Sequence, residues 1–369
     1  MTIMSFSLKH AYRCASHLSK NLILTQPRLF RRRSVYWLSL VKLSSMSAHK
    51  PKVYVTRRIP ESALRLLTSR YLVTQWDSDE PVPGAELMKN VPGIDALFCL
   101  LTDQITFEVL KAAGSSLKVL ATMSVGYDHI DLEACKTLGI PIGYTPDVLT
   151  DATAELTVTL LLATSRRIVE GVTAAREGTW STWKPMWMCG RTLLNSTVGI
   201  VGLGRIGFGV AKRLLPFGPT AILYSGHTPK DSAAEVGAIF VTFDELLQQS
   251  DFVIATCPMN SETVGLFNKA AFMKMKKTAI FINTSRGGVV NQDDLYEALK
   301  SGEIAGAGLD VTVPEPLPTD NKLFTLSNCV IVPHIGSATI DTRTNMAEIT
   351  ARNIIAVLEG ETMPCPLKF

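Results

Sequence analysis

Three side chains in the last quarter of the chain have the chemistry of an acid–base site. His334 stands in Val332-Pro-His-Ile-Gly336-Ser337, Glu315 in Gly308-Leu-Asp310-Val-Thr-Val-Pro-Glu-Pro316, and Arg286 in Ile282-Asn-Thr284-Ser-Arg-Gly-Gly-Val289. An imidazole exchanges protons near neutral pH, and a guanidinium, planar and permanently charged, grips carboxylates. Taken singly, each has a plainer reading as a surface ion pair, a structural histidine or a rigid proline loop. Their placement favours chemistry: each follows a strand-like run, and ligands of open α/β sheets bind beyond the carboxyl ends of the strands. Upstream, Val198-Gly-Ile-Val201 runs into Gly202-Leu-Gly204-Arg205-Ile206-Gly207, and residues 208–215 read as a helix. In that strand–turn–helix context the glycines predict a cradle for a dinucleotide pyrophosphate. Gly202 permits the tight turn, Gly204 the approach of the phosphates and Gly207 close helix–strand packing, with the phosphates at the positive helix terminus.

Selection between the two nicotinamide dinucleotides is expected after the next strand, where an acid about 20 residues on would grip a ribose 2′-hydroxyl. The chain has Tyr224-Ser225-Gly-His227-Thr-Pro-Lys230 there, with no acid. Ser225, His227 and Lys230 could donate to a 2′-phosphate instead. NADPH is therefore expected over NADH, although no arginine fork is present.

The elements that must position these groups follow from alternation. Strand-like runs at Val53–Thr56, Leu72–Trp76, Ala96–Leu100, Val119–Thr122 and Ile140–Gly143 are separated by helix-length stretches such as Glu61–Thr68 and Phe107–Ala113. A long helical pattern spans roughly Asp151–Ile168, with Leu156, Leu160, Leu161 and Ala163 able to share a face and Thr150 or Asp151 as its N-cap. A second series then gives strands at Thr197–Val201, Ala221–Tyr224, Phe252–Thr256, Ala279–Asn283, Ile304–Leu309 and Cys329–Val332, closed by an amphipathic helix at about Thr342–Leu358. Such alternation implies parallel strands joined by crossover helices. The predicted fold is α/β, two doubly wound parallel-sheet domains. A flavodoxin-like substrate domain at about 47–149, rejoined by 338–369, receives an inserted Rossmann-type cofactor domain at 150–337.

With these motifs in place, the chain from Lys52 to Phe369 resembles the D-isomer-specific 2-hydroxyacid dehydrogenases. The runs Val55-Thr-Arg-Arg-Ile-Pro60, Gln75-Trp-Asp-Ser-Asp-Glu-Pro81, Gly143-Tyr-Thr-Pro-Asp-Val-Leu-Thr150 and Trp180-Ser-Thr-Trp-Lys-Pro185 resemble the branch of that family that reduces glyoxylate and hydroxypyruvate. The resemblance implies NADPH-dependent reduction of glyoxylate to glycolate and of hydroxypyruvate to D-glycerate, with NADH weaker. His334 would give the proton, Glu315 would orient and charge the ring, and Arg286 would clamp the substrate carboxylate and polarise its carbonyl. Val125 and Gly126, within Ser124-Val-Gly-Tyr-Asp-His-Ile-Asp131, would add backbone N–H groups, and Ser337 would border the substrate. Asp310 would meet the nicotinamide amide, with Pro258, Thr284 and Gly336 lining the cofactor beside Arg205 and Ile206. Asp128 and His129 are expected to support the Val125–Gly126 loop. Trp180, Trp183 and Trp187 suggest an aromatic contact between subunits, and the resemblance implies a homodimer in which Trp183 reaches the partner's site. A phosphoglycerate-type dehydrogenase and a dinucleotide-sensing co-repressor of the same fold are the alternatives.

Composition sets the limits. The chain holds 37 basic and 33 acidic residues, and eight of the basic ones fall in residues 1–46, which contain no acid. The remainder is therefore 29 against 33, which gives no nucleic-acid footprint. No run of about 18 apolar residues predicts a membrane span. Seven scattered cysteines without a C-x-x-C pair predict neither a disulfide framework nor a metal cluster. The cytoplasm is the expected compartment. The acid-free, Arg- and Ser-rich leader reads either as an unfolded extension before Met46 or as a mitochondrial transit peptide.

Overall fold

The computed structural model describes residues 50–368. The leader expectation, on residues 1–46, lies outside the described residues. Two wholly parallel sheets organise the chain. The first joins β1 (Lys52–Val55), β2 (Leu72–Gln75), β3 (Ala96–Cys99), β4 (Val119–Thr122) and β5 (Ile142–Gly143) in the order β2-β1-β3-β4-β5. The second joins β6 (Thr197–Val201), β7 (Ala221–Ser225), β8 (Ala238–Phe240), β9 (Phe252–Ala255), β10 (Ile280–Asn283), β11 (Gly306–Leu309) and β12 (Cys329–Ile331) in the order β12-β11-β10-β9-β6-β7-β8. The first order is the flavodoxin-like one; the second is the Rossmann order with a seventh strand added at one edge.

The inner strands read as near-continuous apolar runs because helices cover both faces of a parallel sheet. All four residues of β3, β4, β9 and β10 are buried. By contrast β2, at an edge, alternates exposed and half-buried residues. On the first sheet the helices are α1 (Glu61–Thr68), α2 (Gly84–Asn90), α3 (Phe107–Ala113) and α4 (Leu132–Leu138). After α5 (Thr150–Ser165) and α6 (Ile168–Arg176), the second sheet carries α7 (Arg205–Leu214), α8 (Phe243–Gln249), α9 (Lys269–Lys274) and α10 (Gln292–Ser301). The last helix, α11 (Ile340–Leu358), follows the second sheet in sequence but packs on α1, β3 and β4 of the first.

The helix expected over 151–168 is two helices. Arg167 takes a left-handed conformation (φ +53°) between α5 and α6, and its guanidinium is forked onto Glu170 at 2.6 and 3.0 Å. Leu149 occupies the N-cap position, so neither Thr150 nor Asp151 caps; Asp151 instead accepts from Arg213 at 2.7 Å. The buried face of α5 carries Thr153, Thr157 and Thr164 beside Leu160 and Leu161, whereas Leu156 and Ala163 are half-buried. A buried threonine in a helix satisfies its hydroxyl on the preceding turn, as Thr157 does on the Thr153 carbonyl at 2.7 Å. No helix among the described residues is long and apolar enough to cross a membrane.

Candidate active site

Parallel strands deliver their following loops to one edge of a sheet, and the groups singled out above stand in those loops. Arg286 follows β10, Asp310 and Glu315 follow β11, and His334 follows β12, while Val125 and Gly126 follow β4 of the other sheet. The loops meet at a cavity of about 210 Å³ that Arg286, Glu315 and His334 line from one side and Leu101, Asp128 and His129 from the other. A larger cavity, of about 350 Å³, lies near the opposite ends of β10 and β11, by Ile280 and Gly306, where Arg167 and Glu170 neutralise one another. The smaller one holds the acid–base groups and is the candidate site.

His334 is constrained in both ring and backbone. Its Nδ1 lies 2.8 Å from Glu315 Oε2, so Nε2 is the nitrogen left for the cavity. Burial opposes ionisation of Glu315, but the hydrogen bond and charge of His334, the Thr312 N–H and Arg286 outweigh it, and the carboxyl ionises below its ordinary range. An ionised Glu315 accepts from Nδ1–H and fixes the tautomer. The His334 backbone is left-handed (φ +52°), its N–H donating to the Asp310 and Val332 carbonyls at 2.9 and 3.1 Å. Asp310, only 2% exposed, accepts from the Ile335 and Gly336 N–H groups at 2.7 and 2.9 Å. The structure thus gives this carboxylate, expected at a nicotinamide amide, a further role in holding the loop that carries His334.

Arg286 donates from Nε to Asp128 Oδ1 at 3.0 Å and from Nη1 to the Ser285 carbonyl at 2.9 Å. Its Nη2 packs on Gly126, where an added Cβ would stand 1.5 Å away. Only glycine admits the guanidinium there. Burial opposes ionisation of Asp128, but the Arg286 charge and hydrogen bond prevail and hold its carboxyl below the usual range. His129, adjacent and buried, has its imidazole pushed down to about 4 by burial. Its Nε2 meets the Thr122 hydroxyl at 3.0 Å, Thr122 meets Ser124 at 2.7 Å, and Ser124 donates to the Gly126 carbonyl at 2.6 Å. The support expected of His129 is therefore a buried chain of hydrogen bonds beneath the Val125–Gly126 loop. Asp128 works elsewhere, on Arg286. From sequence Thr122 reads only as the end of a strand, because a hydroxyl inside an apolar run carries no periodic signal.

The turn from β6 into α7 is tight and closely packed at its glycines. Gly202 is left-handed (φ +98°), and a Cβ on it would lie 2.8 Å from the Cys257 backbone nitrogen; one on Gly207 would lie 2.3 Å from the Gly202 carbonyl. Gly204 faces open space, and no side chain caps α7 there. A ten-residue helix that starts at a glycine, with no side chain capping its first N–H groups, fits a dinucleotide pyrophosphate. Arg205 forms an ion pair with Asp147, in the loop after β5, and Ile206 is half-buried against the core. Thr284 meets Thr157, hydroxyl to hydroxyl, at 2.8 Å, and the exposed Pro258 accepts from the Thr263 hydroxyl at 2.7 Å. Ser225 is buried and its carbonyl accepts from the Gly202 N–H at 2.9 Å, while Lys230 is exposed. A carboxylate does approach this loop from the loop after β9: Glu262 lies 3.6 Å from the exposed His227.

Four expected substrate contacts, Val125, Gly126, Ser337 and Trp183, are not among the cavity's lining, although Gly126 packs on Arg286, which is. Ser337 is half-buried, with its carbonyl accepting from Thr339, and Trp183 is 79% exposed on the segment after α6. Leu101 and Met259, which do line the cavity, carry no sequence signal beyond apolarity.

Comparison with known proteins places this geometry in a family. Residues 158–336 match the model of the D-isomer specific 2-hydroxyacid dehydrogenase NAD binding domain. The human protein named glyoxylate reductase/hydroxypyruvate reductase is 56% identical over 321 residues, covering 86% of this chain and 98% of that one. A crystal structure from Thermus thermophilus superposes with a TM-score of 0.81 at 46% identity, covering 86% of this chain and all of that one (100%). An NADPH-dependent glyoxylate/hydroxypyruvate reductase from Sinorhizobium meliloti, solved with NADP and malonate, gives a TM-score of 0.75 at 27% identity, covering 86% and 97%. A nicotinamide dinucleotide is the cofactor that the cradle and the family share. The chain belongs to the D-isomer specific 2-hydroxyacid dehydrogenase family and is an enzyme of that kind.

Proposed function

We propose that this enzyme reduces small 2-keto acids with NADPH, glyoxylate to glycolate and hydroxypyruvate to D-glycerate, and uses NADH less well. The observation that carries the reading is the His334–Glu315 pair sharing one cavity with Arg286 at the carboxyl edge of the second sheet. The substrates named for the human and Sinorhizobium relatives support the choice of keto acids, and the NADPH dependence of the latter supports that cofactor. A reduced nicotinamide, when bound, supplies hydride to the carbonyl carbon. The chain's own residues hold the substrate and move the proton. Arg286, with the N–H groups of Val125 and Gly126 and with Ser337, binds the carboxylate and draws charge toward the carbonyl oxygen. His334, protonated, gives its Nε2 proton to that oxygen, and Glu315 on Nδ1 holds the ring and balances the imidazolium. Gly202, Gly204, Arg205, Ile206 and Gly207 would hold the pyrophosphate. Ser225, His227 and Lys230 would face a 2′-phosphate, and Pro258, Thr284, Asp310 and Gly336 would line the nicotinamide.

The substrate domain in this reading is 47–149 with 338–369, and the cofactor domain is 150–337. The assembly is a homodimer formed through α6 and the exposed segment after it, with Trp183 turned toward the partner. Cytoplasmic residence belongs to the same proposal. Imaging the full chain beside one begun at Met46 separates it from a mitochondrial address carried by the leader. The role of His334 is tested by substitution: His334→Ala is expected to lower kcat by about 10²- to 10⁴-fold while NADPH titrated against protein fluorescence binds as before. Near-normal turnover in that variant contradicts the assignment of the acid.

A further inference from the structure

Arg286 has five N–H donors in a fixed fork, and the fold commits two of them. Asp128 takes Nε–H from the first sheet's side of the cleft, and the Ser285 carbonyl takes one Nη1–H from the second. Of the three donors left, one is on Nη1 and two are on Nη2, the nitrogens of the edge that meets a carboxylate with two parallel bonds. Gly126 lets that edge lie against the loop, and the buried Ser124–Thr122–His129 chain fixes the loop beneath it. Without Asp128, the guanidinium could swing about its last side-chain torsions and present Nε instead.

We infer that Asp128 is a positioning residue for keto-acid recognition: it turns Arg286 so that the Nη1–Nη2 edge faces the substrate carboxylate. The inference rests on the reading above, in which Arg286 binds that carboxylate. It differs from a second role the same pair could have, with Asp128 competing against the substrate for the charge of Arg286. The geometry favours positioning, because Asp128 takes the side nitrogen and the Ser285 carbonyl only one Nη1–H, so that both nitrogens of the end-on edge keep an N–H.

The two roles predict opposite signs. Asp128→Ala and Asp128→Asn are made in the full chain, and KM and kcat for hydroxypyruvate are measured beside KM for NADPH. Calorimetry with oxalate, a dicarboxylate that is not reduced, on the enzyme with NADP⁺ gives a readout independent of turnover. Asp128→Ala is expected to raise the hydroxypyruvate KM and the oxalate Kd by roughly ten- to a hundredfold, as misplacement of a clamp does. KM for NADPH should stay within about twofold, and Asp128→Asn, which keeps an acceptor for Nε–H, should recover most of the loss. Unchanged oxalate affinity overturns the inference, and so does tighter oxalate binding, which identifies a competitor. Equal losses for oxalate and NADPH overturn it too, because they report a general structural role. If the wild-type chain reduces no 2-keto acid, the functional reading fails, and the oxalate comparison still decides what Asp128 does.

Discussion

At His334 the cost of an unusual backbone is met by its neighbours. A non-glycine residue at φ +52° costs roughly 1–3 kcal/mol. Here the Asp310 and Val332 carbonyls hold the residue's N–H, and the Asp310 carboxylate holds the next two. A residue whose burial outweighs its neighbouring charge behaves differently. His129 has its imidazole depressed from 6.5 to about 4, chiefly by burial. Its unfolded form therefore takes up a proton that its folded form refuses, so the stability tied to it is complete above about pH 6.5 and falls as pH drops toward 4. At about 1.4 kcal/mol per pH unit the difference is on the order of 3 kcal/mol. Thermal denaturation between pH 7 and 4.5 should show that loss, and His129→Gln should flatten the slope; an equal slope in the variant contradicts it. The residue types Arg, Glu and His past strand ends are legible in the sequence, because chemistry restricts them to few choices. The hold of Asp310 on the His334 loop and the hydroxyl chain under Gly126 are not, since side-chain hydrogen bonds between distant segments leave no periodicity to read.

At the scale of elements, inner strands are readable to within a residue or two because burial on both faces makes them apolar throughout. The three-residue edge strand β8 gives no such signal for the converse reason: it is half exposed and follows a short helical turn. The break between α5 and α6 is equally silent, because Arg167 carries no helix-ending signal; it is held left-handed while its side chain is forked onto Glu170. That break starts a segment rich in exposed large apolar residues. Trp180, Trp183 and Met186 are 62, 79 and 81% exposed, and Ile168, Val169 and Val172 on the preceding α6 are exposed too. Such a patch marks an interaction surface. Sedimentation velocity at micromolar concentration should give twice the chain mass for the wild type, and Trp180→Ser with Trp183→Ser should shift it toward the monomer. A wild type that sediments as a monomer rules out the proposed dimer.

For the whole molecule, two ion pairs of one sense join loops of the first sheet to those of the second. Asp128 and Asp147 follow strands of the first sheet, and Arg286 and Arg205 follow strands of the second. Both arginines are candidates for an anion, Arg286 for the substrate carboxylate and Arg205 for the dinucleotide pyrophosphate. The overall architecture is legible because alternating strands and helices allow few parallel topologies. How two separately wound sheets bring Gly126 against Arg286 is not, because it depends on packing between segments far apart in sequence. The measurement that bears most directly on the proposed activity is steady-state oxidation of NADPH, and separately of NADH, with glyoxylate, hydroxypyruvate and phosphohydroxypyruvate. Rapid NADPH turnover is predicted with the first two, slower turnover with NADH and little with the third. Cofactor binding without turnover on any of them would contradict the proposal and point to a dinucleotide-sensing protein.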